Sequence, residues 1–212
     1  MNNRKIKKSY ISCTGYFFSY KNNTQIAFES TLERDFYLSL EFDNDVIGYK
    51  EQPETIVYEY PDQGKRRYTP DTLVFYKDNH DVMFEVKYAD DLENIDLQKK
   101  LEILKNEIKL KYGLELKVFT DKDLSTQYLE NIRFLYKFAF IPQQNQKTEL
   151  ITQLLIKENS ISITDIIHTI EKTKMKQLEL IPYVWNYLFL NNKLTNLENK
   201  LSMNTILSTG AG

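Results

Sequence analysis

Apolar positions along the chain change period several times, from helical spacing to alternation and back. Over residues 30–41, Phe36, Tyr37 and Leu40 repeat at three- and four-residue spacing with Glu33 on the same face, which predicts a helix. Ser30 precedes it as a possible N-cap, and Glu33 three residues on could complete a capping box. Short runs at residues 46–50, 55–60, 67–76 and 81–88 read as strands. Pro70 lies inside the third run and implies an edge, a bulge or a bend there. Residues 91–112 form a long amphipathic helix, with Leu97, Leu101, Leu104 and Ile108 in one stripe and Gly113 at its end. A strand at residues 114–120 and a helix at 126–138 follow. Strands flanked by helices in this order indicate an α/β core with a mixed sheet between helices.

The polar run Pro142 to Gln146 sets the expected boundary. It divides a first domain, residues 1–141, from a smaller second one, residues 142–212. The second reads as helices at 147–157, 162–171 and 176–190 and a short hairpin over 193–207, a mainly helical, winged-helix-like unit. Trp185, Tyr187 and Phe189 alternate near its last helix and read as its small core, with an exposed docking patch as the alternative. The first 28 residues carry Arg4, Lys5, Lys7 and Lys8 and then Tyr10, Tyr16, Phe17, Phe18 and Tyr20. They read as an arm, either laid over the core or touching phosphate.

Composition narrows the chemistry. The chain has 212 residues, 42% of them apolar, enough for a sizeable core. Its net charge of −2 excludes a bulk basic protein that coats nucleic acid, although a local basic groove remains possible. One cysteine, Cys13, and two separated histidines, His80 and His168, exclude an intrachain disulfide, a Cys/His zinc site and an HExxH motif. No glycine-rich turn joins a strand to a helix, so neither a dinucleotide fold nor a P-loop is supported. No apolar run approaches the roughly 20 residues of a membrane helix, and no signal core opens the chain, so a cytoplasmic protein is expected.

Three acids and a lysine stand out. Asp71 follows Pro70 and precedes Leu73, Val74 and Phe75, and a carboxylate in such a strand is costly unless paired or metal-bound. A turn aspartate at a strand start is the bland alternative. Glu85 and Lys87 fall on one face of their strand, where the acid can hold a hard cation and the ammonium can meet a phosphate. A solvated ion pair is the alternative. Fourteen residues separate Asp71 from Glu85, the length of a hairpin that would set the two acids side by side. The Val86 carbonyl could add a third ligand. Phosphodiester hydrolysis loads charge onto an anion, and a bound cation neutralises that charge and acidifies water. Glu33 lies on the inward face of its helix, whereas Arg34, Asp35 and Glu41 read as its solvated charges. Glu33 is therefore a ligand, a water-orienting acid or the capping-box partner, with Glu29 as the alternative acid.

The segments Phe28-Glu29-Ser30-Thr31-Leu32-Glu33, Leu40-Glu41-Phe42-Asp43, Lys50-Glu51-Gln52-Pro53, Tyr68-Thr69-Pro70-Asp71, Glu85-Val86-Lys87 and Phe119-Thr120-Asp121-Lys122-Asp123 occur in this order. Together they resemble TnsA, the transposon-end endonuclease subunit of heteromeric cut-and-paste transposases, over roughly residues 11–138. The resemblance implies a restriction-endonuclease-like PD-(D/E)xK fold and Mg²⁺-dependent cutting at the 5′ ends of an element, with Mn²⁺ substituting. It implies double-stranded transposon-end DNA as substrate, a TnsB-like DDE transposase that cuts the 3′ ends, and a TnsC-like ATPase regulator. Glu33, Asp71 and Lys87 match the family's catalytic Glu, Asp and Lys, with Glu85 where the best-known member carries glutamine and related nucleases an acid. Asp71, Glu85, Glu33 and the Val86 carbonyl are then the metal ligands, and Gln52, Tyr68 and Thr69 their neighbours. For DNA phosphate the best candidates are Lys65, Arg66 and Arg67, then Lys5, Lys7 and Lys8, whereas Lys99, Lys100 and Lys105 read as a solvated helix face. A stand-alone restriction or junction-resolving nuclease and a non-catalytic adaptor are the competing readings.

Overall fold

The computed structural model describes residues 13–61 and 64–210. The chain divides into two compact units, Met1–Asp123 and Leu124–Gly212.

The described part of the first unit opens with an antiparallel hairpin, β1 (Gly15–Ser19) and β2 (Thr24–Phe28), where the sequence suggested only an arm. Arg4, Lys5, Lys7, Lys8 and Tyr10 lie outside the described residues. Next comes α1 (Thr31–Phe42), capped by Ser30, whose Oγ accepts the Glu33 N–H at 3.0 Å. Strands β3 (Val46–Glu51), β4 (Ile56–Tyr60), β5 (Gly64–Tyr68), β6 (Thr72–Tyr76) and β7 (Val82–Val86) follow. Then α2 (Ile95–Tyr112) crosses over to β8 (Glu115–Phe119). The run expected as one strand over 67–76 is two strands, because Pro70 cannot donate to a ladder. Before the break β5 pairs with β4, and after it β6 enters a four-stranded sheet of order β3-β6-β7-β8. Strand β6 is antiparallel to both neighbours, and β8 is parallel to β7, as a helical crossover allows.

Helices cover both faces of this sheet. From α1, the Phe36 ring meets Phe84 at 5.0 Å and Phe119 at 4.8 Å. From α2, Leu101, Leu104 and Ile108 bury against Met83 and Leu116 of the sheet and against Ile56, Tyr58 and Tyr68 of the β4–β5 hairpin. The stripe read from the sequence is thus the face that α2 buries. Asn94 caps this helix by accepting the Asp96 and Leu97 N–H groups, and Gly113 ends it in the left-handed region at φ +69°.

The β1–β2 hairpin closes the β3 edge of the sheet. The Asn22 amide donates to the Tyr49 carbonyl at 2.9 Å and accepts the Tyr49 N–H at 3.1 Å, one side chain standing in for a further strand. Beside it Glu41 is buried, as is Asp35, so the expectation that both are solvated charges is wrong. Glu41 turns inward because four donors wait there: the Ser19 and Tyr49 hydroxyls at 2.5 and 2.6 Å, and the Tyr20 and Lys21 N–H groups, each at 3.1 Å. Asp35 is paired with Arg34 at 3.0 Å.

The second unit contains α3 (Thr126–Tyr136), α4 (Asn145–Glu158), β9 (Ser160–Ser162), α5 (Ile163–Ile170), α6 (Lys174–Leu190) and β10 (Ile206–Ser208). It begins earlier than the expected boundary at Pro142, because α3 packs here. Phe134 meets the Trp185 ring edge-on at 4.9 Å, and the Asn131 amide donates to the Leu197 and Asn199 carbonyls at 2.7 Å. Trp185, Tyr187 and Phe189 are buried, which settles them as core. The hairpin expected over 193–207 does not form. Ile206–Ser208 pairs instead with Ser160–Ser162, giving a two-stranded ribbon beside the helices, a winged-helix-like arrangement.

Candidate active site

The site grows out of the break that Pro70 makes between β5 and β6. Residues Thr72 and Phe84 pair across β6 and β7, so Asp71 and Glu85 stand at the next position of the ladder. Asp71 stays in register through its side chain: Oδ2 accepts the Val86 N–H at 2.7 Å. Its carbonyl accepts the N–H of Gln52, which sits at φ +40°, at 2.9 Å. The hairpin geometry expected from the fourteen-residue spacing is therefore present.

Glu85 is 5% exposed, at the end of the core that α2 covers. Its two oxygens have different partners. Oε2 accepts the Tyr68 hydroxyl at 2.5 Å, and Oε1 meets the Lys87 ammonium at 2.7 Å. The ammonium also donates to the Val86 carbonyl at 3.0 Å and stands 3.6 Å from Asp71 Oδ2. One cation thus lies among the oxygens of three of the four expected metal ligands, and Glu33 is not one of them. Thr69 bonds Thr55, hydroxyl to hydroxyl, at 2.9 Å beside this cluster.

Glu33 approaches from α1. It does not close the capping box on Ser30; its Oε2 accepts the Glu29 N–H at 2.8 Å. With Asp71 it lines a cleft of about 290 Å³ that also holds Glu29, Glu51 and Gln52. Gln52 Nε2 reaches toward Glu29 at 3.4 Å, and Glu51 accepts the Ala27 N–H at 2.5 Å. The sequence reading missed Glu51 as a wall of the site. Its place beside Gln52 in the Lys50-Glu51-Gln52-Pro53 segment was the available signal.

The electrostatics describe a site short of positive charge. Burial, then the Glu85 charge, raises the pKa of Asp71. Burial, then the charges of Asp71 and Glu29, raises that of Glu33 against its hydrogen bond from Glu29. Burial alone would lower Lys87, but Asp71 and Glu85 together outweigh it and hold the ammonium above 10.5. Burial and the Glu85 carboxylate push the Tyr68 phenol far above its usual range, so it remains a donor. Hard carboxylate and carbonyl oxygens suit Mg²⁺ or Mn²⁺. Among the described residues no three His, Cys, Asp or Glu side chains gather into a metal cluster. A cation here would be held by Asp71, Glu85 and the Val86 carbonyl, with water or substrate oxygens completing its shell.

The basic residues divide. Lys65, Arg66 and Arg67 are all exposed on β5, but strand alternation separates them. Arg66, opposite Tyr58, faces α2 and shares a pocket with Tyr60, Asn94 and Lys100. Lys65 and Arg67 project from the other face. Lys100, expected to be merely solvated, has its ammonium 5.2 Å above the Tyr68 ring. Lys5, Lys7 and Lys8 lie outside the described residues.

Residues 43–121 match the family model for the TnsA-like endonuclease N-terminal domain, and residues 123–197 match that for the TnsA endonuclease C-terminal domain. The chain belongs to the TnsA endonuclease family. Its first unit is restriction-endonuclease-like, and the passage between the two matches falls where the two compact units divide. The N-terminal match spans Asp71, Glu85 and Lys87, whereas Glu33 precedes it. No curated protein matches the chain. Membership of the TnsA family carries a transposon endonuclease role. No helix among the described residues is long and apolar enough to cross a membrane.

Proposed function

We propose that this TnsA-family chain is a Mg²⁺-dependent DNA endonuclease that cuts the 5′ ends of a transposon. It would act with a TnsB-like DDE transposase and a TnsC-like ATPase regulator on double-stranded end DNA. The observation that carries the metal-dependent part is the position of the Lys87 ammonium among Glu85 Oε1, the Val86 carbonyl and Asp71 Oδ2. Those oxygens already converge on one positive charge.

A divalent cation bound there supplies charge neutralisation at the phosphate and acidifies a coordinated water. The chain does the rest. Asp71 and Glu85 hold their oxygens in place through the Val86 N–H and the Tyr68 hydroxyl. Lys87 presents its charge to the attacked phosphate. Glu33, held by the Glu29 N–H in the cleft that Asp71 also lines, orients water or takes its proton. Its raised pKa suits the second task, because a stronger base accepts the proton more readily. Lys65 and Arg67, exposed on the same face of β5, contact the DNA backbone, whereas Arg66 faces α2.

The test is a calorimetric Mn²⁺ titration of the full chain without DNA, wild type beside Asp71→Ala. Binding by the wild type that disappears in the variant is the expected result. Binding by neither protein, or equal binding by both, overturns the metal site.

A further inference from the structure

We propose that Tyr68 is a specificity-determining residue for the metal. Its hydroxyl claims one Glu85 oxygen and leaves a single oxygen for the cation, which favours Mg²⁺ and Mn²⁺ over Ca²⁺. The inference rests on the reading of Asp71 and Glu85 as metal ligands.

Three observations carry it. First, the two oxygens of Glu85 have separate partners: Oε2 receives Tyr68 at 2.5 Å, and Oε1 faces the position that Lys87 holds at 2.7 Å. Second, Tyr68 cannot easily swing away. It is 6% exposed, packed with Ile56, Met83 and Leu101, and its strand position is fixed by pairing with Ile56. The Lys100 ammonium above its ring draws electron density from the phenol and strengthens the hydroxyl as a donor. Third, the oxygens around that position are few: Glu85 Oε1, the Val86 carbonyl and Asp71 Oδ2.

The consequence follows from what each ion needs. Ca²⁺ takes about six to eight oxygens and commonly uses both oxygens of a carboxylate. Mg²⁺ and Mn²⁺ accept fewer protein ligands, and Mg²⁺ keeps several waters. A Glu85 limited to one oxygen therefore penalises Ca²⁺ most. Removing the hydroxyl frees Oε2 and gives Ca²⁺ the additional oxygen.

The experiment titrates Mn²⁺ and Ca²⁺ separately into the full chain without DNA, wild type beside Tyr68→Phe, with thermal midpoints from the same samples. The wild type should prefer Mn²⁺, and the variant should narrow the Mn²⁺-to-Ca²⁺ affinity ratio by about tenfold. A merely structural role for Tyr68 would weaken both ions alike, and an unchanged ratio overturns the proposal while leaving the metal site standing. A wild type that binds neither ion overturns the underlying site as well. Tyr68→Met, which also lacks the donor, repeats the test if the phenylalanine variant fails to fold.

Discussion

Two buried glutamates in the first unit make a natural contrast. Glu41 and Glu85 are 6% and 5% exposed, yet their surroundings differ in kind. Glu41 receives hydrogen bonds from two hydroxyls and two backbone N–H groups, all held by strands or the hairpin they join. Glu85 has one fixed donor, Tyr68, and one long flexible cation, Lys87, with a second carboxylate nearby on Asp71. Burial and satisfaction alone therefore do not mark a functional acid. On the proposed reading, what sets Glu85 apart is that one of its two partners is a flexible side-chain cation. The first arrangement ties the hairpin to α1, and the second stores repulsion that a metal would relieve.

The largest effect should come from breaking the second arrangement. Asp71→Asn keeps an acceptor for the Val86 N–H but removes a ligand charge. End cutting in the presence of partners should fall by about 10³-fold, the scale of losing a major transition-state charge stabiliser. The thermal midpoint should hold or rise, because one of two repelling acids is gone. Retained cutting, or a collapse of stability, would place Asp71 with Glu41 as a structural acid.

Glu41→Gln should do the reverse. Its amide NH₂ would confront donors that now meet a carboxylate, at a cost of about 2–3 kcal/mol in stability. Mn²⁺ affinity of the folded protein should not change. Chemical denaturation and calorimetry on the same preparation separate the two quantities. A loss of metal affinity without a loss of stability would erase the contrast.

The sequence carried one half of this contrast and misled about the other. Asp71, Glu85 and Lys87 were legible because alternation and a hairpin-length spacing are properties of the chain alone. The α2 stripe was legible for the same reason. Glu41 was not, because helical periodicity put it with the solvated charges. Its donors come from β1, from the β1–β2 turn and from Tyr49, brought together only by the tertiary fold. The hairpin itself was obscured by its aromatic-rich run and by the turn Tyr20-Lys21-Asn22-Asn23, which lacks a glycine or proline signal. The partner of β10 was hidden similarly, since pairing with Ser160–Ser162 spans two helices.

The smallest effect tests the end of β6 opposite Asp71. Tyr76 closes that strand near Asp43, whose carbonyl, with that of Val46, accepts the Lys21 ammonium. Burial, then the charges of Asp43 and Asp78, raises its phenol pKa from 10.0 to about 12. A phenol raised in the folded state keeps its proton where the unfolded chain has released it. Stability from this group is therefore complete below pH 10 and declines as pH climbs toward 12. Lys21 titrates in the opposite sense: burial lowers its pKa from 10.5, so stability gains as pH rises toward that value. The difference between wild type and Tyr76→Phe removes the Lys21 contribution, which both proteins share. That difference should be flat below pH 10 and shrink by about 1 kcal/mol across the window, the full value being reduced because the ring is only half-buried. Urea midpoints of both proteins at neutral and alkaline pH check it. A difference that stays flat throughout would mean that neither burial nor the charges of Asp43 and Asp78 raise the Tyr76 phenol.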